Sequence, residues 1–123
     1  MDLNEKIKAL ALKYNMDSIG LFGSRARGDF QEYSDYDVFI IGDLDINIEL
    51  KIEAELEDIF KAEVDVVRLT KDLDKMLLKN ILNDAKVVVN NNQAFEEIYN
   101  YVDSFFKENY DFLWYREQDL IFG

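Results

Sequence analysis

The stretch from Gly23 to Asp37 constrains this 123-residue chain more than any other. An apolar run, Ile19 to Phe22, ends on Gly23 and Ser24. Arg25, Arg27 and Gly28 follow, and the stretch closes on Asp35 and Asp37 at the mouth of a second apolar run, Val38 to Ile41. Read as a strand from Asp35 to Gly42, the segment puts both carboxylates on one face, about 7 Å apart, because residues two apart on a strand point the same way. Two like charges so placed repel by about 1 kcal/mol at a surface-like dielectric. A fold accepts that cost when a cation sits between them. Mg²⁺ suits the position, since it takes carboxylate and phosphate oxygens together.

The Gly-Ser turn points to the same chemistry. Gly23 lets the backbone approach a ligand closely and adopt dihedrals that other residues avoid. Ser24 opens a short helical turn, whose free backbone N–H groups favour an anion. Arg25 and Arg27 add charge of the kind that meets phosphate oxygens; balancing Asp29 and Glu32 at the surface is the competing role for each. A third acidic residue, Asp65, stands inside the apolar segment Val64 to Val67. A lone carboxylate there is costly unless paired or bound to metal, and a strand beside Asp35 to Gly42 brings it to the same mouth. The alternative is an Asp65 that faces solvent on a one-sided sheet.

Gly23-Ser24, Gly28 and Ser34-Asp35-Tyr36-Asp37-Val38 reproduce the G-S-x-x-x-G-x-x-x-x-x-S-D-x-D-hydrophobic signature. In this the chain resembles the polymerase-beta-like nucleotidyltransferases. With Arg25-Ala26-Arg27-Gly28-Asp29 in between, it is most similar to their minimal branch, antitoxins encoded beside a helical partner. The resemblance implies a single nucleotidyltransferase domain over residues 1–123 with a palm-like α+β core. It implies Asp35, Asp37 and Asp65 as catalytic and metal-binding residues, with Asp65 also accepting the proton of the attacking hydroxyl. Gly23, Ser24, Arg25 and Arg27 are implied to bind the nucleotide. The expected cofactor is Mg²⁺, two ions, with Mn²⁺ as a substitute. The expected reaction is transfer of AMP from ATP to a hydroxyl, a tyrosine of a cognate HEPN-type toxin. Two alternatives stay open: a non-catalytic antitoxin that occludes its partner, and a small-molecule, antibiotic-type nucleotidyltransferase.

Composition narrows the field. A net charge of −12 and an isoelectric point near 4.3 disfavour direct contact with a nucleic-acid backbone, which calls for Lys and Arg patches. Cysteine and histidine are both absent, so disulfides, thiolate chemistry and a His-bound zinc site are excluded and a general base must be a carboxylate. No apolar run approaches the roughly 18 residues of a membrane span. The N-terminus lacks the basic-then-apolar pattern of a signal peptide, so a cytoplasmic protein is expected.

Periodicity supplies the remaining elements. Helices are expected over Asp2 to Tyr14, Arg25 to Gly28, Ile46 to Lys61, Thr70 (as cap) to about Leu82, and from Gln93 onward. Strands are expected at Ser18 to Phe22, Asp35 to Gly42, Glu63 to Leu69 and Ala85 to Asn90. The order predicts a small sheet of about four strands with helices packed on one side, and the resemblance implies that its strand order is mixed, although Val38 to Ile41 reads as buried on both faces. The last helix carries a stripe of Phe95, Ile98, Val102, Phe105, Tyr110 and Leu113. Tyr99, Tyr101, Phe106, Phe112 and Trp114 fall off it, and Tyr115 and Phe122 add further aromatics. This surplus predicts a surface for a partner or for self-association, as a homodimer or hetero-oligomer.

Overall fold

The computed structural model describes residues 2–108. The first helix, α1 (Leu3–Lys13), starts at Asp2, whose side chain accepts from the Glu5 N–H at 2.8 Å. It stops at Tyr14, and Asn15 follows with a φ of 54°. Strand β1 (Ser18–Phe22) leads directly into the short helix α2 (Gly23–Arg27). Strand β2 (Tyr36–Ile41), helix α3 (Ile46–Phe60) and strand β3 (Val64–Arg68) follow. Helix α4 (Lys75–Asp84), strand β4 (Lys86–Asn90) and helix α5 (Ala94–Glu108) complete the described order.

The four strands form one mixed sheet in the order β3-β2-β1-β4. β1 pairs antiparallel with β2 and β4, while β2 and β3 run parallel, joined by α3 as the crossover. The α+β class and the mixed sheet are as expected. The one-sided arrangement of helices is not. Ile7 and Leu10 of α1 and Ile52 and Leu56 of α3 pack against Ile19, Val38, Ile40 and Val64 on one face. Leu78, Ile81 and Leu82 of α4 and Ile98, Val102 and Phe106 of α5 cover Phe39, Ile41 and Leu69 on the other. The reason lies in β2. Val38, Phe39 and Ile40 are each at most 1 % exposed, so both faces of the strand need cover.

Three smaller expectations are also corrected. Thr70 does not cap α4; Asp74 does, its carboxylate accepting from the Leu77 N–H at 3.0 Å, so the helix starts later. Asp35 lies just before β2 rather than inside it. In α5, Phe106 is buried rather than off the apolar stripe, while Tyr99 is exposed. Tyr110, Phe112, Leu113, Trp114, Tyr115 and Phe122 lie outside the described residues.

One close approach ties β1 to both neighbours. A Cβ at Gly20 would stand 2.4 Å from the Lys86 carbonyl oxygen of β4 and 2.6 Å from Cζ of Phe39. Neither a paired backbone nor a fully buried ring yields cheaply. Gly20→Ala is therefore expected to destabilise the fold by about 2 kcal/mol or more, read as a lower urea midpoint at unchanged slope.

Candidate active site

Strand alternation decides where the carboxylates point. On β2, Tyr36, Val38 and Ile40 pack on the α1/α3 side and Phe39 and Ile41 on the α4/α5 side. Asp37 has the parity of Phe39, so it projects from the α4/α5 side at the N-terminal end of the strand. Parallel pairing aligns Asp37 with Asp65, and aligned residues on neighbouring strands share a face. Asp65 thus reaches the mouth where Asp37 stands, as the sequence suggested. Asp35 and Asp65 are exposed and Asp37 is half-buried.

The three charges are felt at Asp37. Its pKa is raised, first by partial burial, then by the carboxylates of Asp65 and Asp35, with Arg27 pulling weakly the other way. Among the described residues, no group of three or more carboxylates is already gathered in metal-ligating geometry.

Opposite them lies the turn into α2. Gly23 has a φ of 73°, and a Cβ there would stand 2.3 Å from Oδ2 of Asp37. Both the backbone conformation and the space demand glycine. The antiparallel pairing of Phe22 with Asp37 brings this turn against the carboxylate. The start of α2 has no side-chain cap, and its end is closed by Gly28, at a φ of 89°, whose N–H donates to the Ser24 carbonyl at 2.9 Å. Ser24 and Gly23 therefore adjoin the acidic mouth with backbone donors at the helix start.

The two arginines differ. Arg27 is paired, its Nη1 2.8 Å from Asp84 Oδ2 and its Nε 3.2 Å from Asp29 Oδ2, and it remains close enough to Asp37 to act on its charge. Arg25 is turned into the protein. Its Nη2 donates to the carbonyls of Ser34 (3.0 Å) and Glu32 (3.1 Å), and its Nε to Ser34 (3.3 Å). Its guanidinium carbon lies 4.2 Å from the Phe30 ring centre and 4.3 Å from that of Tyr36. The structure thus brings Gly23, Ser24, Arg27, Asp35, Asp37 and Asp65 to one mouth and sends the Arg25 donors to backbone carbonyls instead.

Sequence reasoning missed two contributors. Asp84, at the end of α4, anchors Arg27 from 57 positions away, a pairing without any local signal. Ser34 closes a tight turn, its Oγ accepting from the Gln31 N–H at 2.9 Å while its own N–H donates to the Gln31 carbonyl at 3.0 Å. The Ser-Asp pair in the signature was a signal for this, since Ser side chains commonly close such turns.

An uncapped turn after a central strand, facing carboxylates on two parallel strands, is the layout of a phosphoryl- or nucleotidyl-transfer site. The family model described as "Polymerase beta, Nucleotidyltransferase" matches residues 5–94. The chain belongs to this family and is a nucleotidyltransferase. Two candidate protein adenylyltransferases of Methanocaldococcus jannaschii are each 33 % identical to it. One aligns over 93 residues (70 % of this chain, 93 % of the relative), the other over 90 (69 % and 96 %). A solved candidate minimal nucleotidyltransferase superposes with a TM-score of 0.59 at 26 % identity, covering 70 % of this chain and 95 % of its own. The same fold recurs in a toxin–antitoxin crystal structure with AMP-PNP, at a TM-score of 0.75 and 20 % identity over 96 % of this chain and 98 % of that one. It recurs again in the complex of a tri-AMPylated HEPN toxin of Shewanella oneidensis with an MNT antitoxin, at 0.69 and 19 % over 97 % and 96 %.

The pKa of Asp37 gives a testable sign. A carboxyl whose folded-state pKa is raised holds its proton more tightly in the fold. Its contribution is favourable below the ordinary aspartate range and is lost as pH rises through the raised value. Asp37→Asn removes that loss. In the absence of divalent cations its Tm should match wild type in acid and exceed it by about 3 °C or more at neutral pH. Thermal melts across that range provide the check, and a variant less stable than wild type at neutral pH would contradict the repulsion.

Proposed function

We propose that this chain acts as one nucleotidyltransferase domain that moves AMP from ATP to a tyrosine hydroxyl of a helical HEPN-type toxin, silencing it. The observation that carries the reading is the register of Asp37 with Asp65, set against the glycine that Asp37 overhangs.

The residues present fit a divalent cation. The donor set is all oxygen, the Asp65 and Asp35 carboxylates stand near enough to act on the charge of Asp37 without forming a ready-made cluster, and a neighbouring positive charge would be welcome there. Asp35, Asp37 and Asp65 would hold Mg²⁺, or Mn²⁺ in its place, and the ion supplies neutralising charge to the phosphates and to the departing pyrophosphate. Gly23 and Ser24 seat the triphosphate with backbone and hydroxyl donors. Arg27, at the edge of the mouth, adds charge toward the phosphates. Asp65, exposed at the acceptor side, takes the proton of the tyrosine hydroxyl. The hydroxyl oxygen bonds to the α-phosphorus, the bond from that phosphorus to the bridging oxygen breaks, and pyrophosphate leaves with the electron pair.

The acidic balance of the chain supports this choice of acceptor. A net charge of −12 suits docking on a basic, RNA-binding face and steers the encounter. The fold likeness to antitoxins held in toxin complexes supports it too.

Incubation with ATP labelled at the α-phosphate, Mg²⁺ and a HEPN-type toxin is expected to label a toxin tyrosine. Asp35→Asn, Asp37→Asn and Asp65→Asn should each lower the rate by at least about 10³-fold, the scale of lost metal-ion catalysis. Neutralisation of the toxin by wild type without label would leave occlusion as the mode of action. Label on a small-molecule hydroxyl alone would favour the antibiotic-type reading.

A further inference from the structure

Asp35 differs from Asp37 and Asp65 in one respect. The other two stand on hydrogen-bonded strands, whereas Asp35 sits at the end of the segment from Gly28 to Asp35, outside the sheet. We propose that Arg25 is the positioning residue for Asp35, holding that segment as a strap against the sheet and leaving the phosphates to other groups. The proposal rests on the transfer chemistry above and adds a residue to it.

The guanidinium reaches three donors' worth of bonds to two carbonyls, those of Glu32 and Ser34, and Ser34 is bonded directly to Asp35 along the chain. Its plane lies near Phe30, from the start of the strap, and near Tyr36, from the first position of β2. Tyr36 is itself fixed. Its ring stacks on Phe60 of α3 at 4.2 Å, and its N–H donates to the Glu63 carbonyl at 3.0 Å. One side chain thus joins both ends of the strap to a ring anchored in the core. A lysine at this position would carry the charge but not the planar fork that serves two carbonyls and lies along two rings. Three of the five guanidinium N–H donors are taken by these carbonyls, and the effect of Arg25 on catalysis passes through the place it gives Asp35.

Arg25→Met and Arg25→Lys test this. Both should fold, as judged by thermal melting. Amide hydrogen exchange, read by mass spectrometry without nucleotide or partner, should rise about tenfold or more over residues 29–35 and stay unchanged in β1 and β3. The affinity for Mn²⁺, read by electron paramagnetic resonance on the protein alone, should fall about fivefold or more. In the transfer assay kcat should drop by about 10²-fold, the scale of an ångström's misplacement, with KM for ATP within about threefold of wild type. Lysine should recover little of either loss. Exchange over 29–35 left at the wild-type rate would overturn the proposal. So would a rise in KM for ATP at constant kcat, since that assigns Arg25 to the phosphates. If wild type transfers no AMP, the proposed function fails, yet the exchange and Mn²⁺ measurements still decide the role of Arg25.

Discussion

Three negative charges brought together without covalent help are the constraint on which this structure turns. Parallel pairing of β2 with β3 sets Asp37 beside Asp65, and partial burial first, then the Asp65 and Asp35 charges, raise the pKa of Asp37. Such an arrangement persists only where the backbone beneath it is over-determined. β2 meets that need: it lies inside the sheet, pairs on both edges, and has a fully buried run from Val38 to Ile40. The hydrophobic burial of the strand's C-terminal half holds the electrostatic conflict at its N-terminal end.

Each face of the sheet has its own part in this. The α1/α3 side is apolar along β2, from Tyr36 through Val38 to Ile40. The α4/α5 side begins with Asp37 and becomes apolar only at Phe39 and Ile41. Because side chains alternate, a single strand carries an unbroken apolar row and a row that opens on a carboxylate without either intruding on the other. A shift of one residue in register would bury Asp37 among α1 and α3 and turn Val38 to the mouth. The two-sided core makes that shift prohibitive, since every buried position of β2 would change face with it.

Much of this was legible before any coordinates. The Gly-Ser turn, the pair Asp35 and Asp37 and the isolated Asp65 within Val64 to Val67 follow from residue type and spacing, and each strand falls within two residues of its expected bounds. The second helical layer was also written in the sequence, in four consecutive apolar residues from Val38 to Ile41. The one-sided reading of the element order overrode it. The start of α4 was misplaced because Thr70 and Asp74 are both acceptable caps, and only the turn at residues 71–73 favours the later one. The fate of Arg25 was not legible at all. A guanidinium next to a glycine-serine turn suits phosphate and carbonyl oxygens equally, and the choice depends on Phe30, Tyr36 and Phe60 meeting in space.

The Arg25 contacts span the stretch that separates the two halves of the signature. Between Gly28 and Asp35 the chain must leave α2, reverse, and deliver a carboxylate back to the first position before β2. The turn closed by Ser34 and Gln31 performs the reversal, and the Arg25 contacts hold its exit in place. The segment between the glycine-serine turn and the paired aspartates thus carries an acidic side chain from the helix end back to the sheet, with one arginine reaching across it to the Glu32 and Ser34 carbonyls.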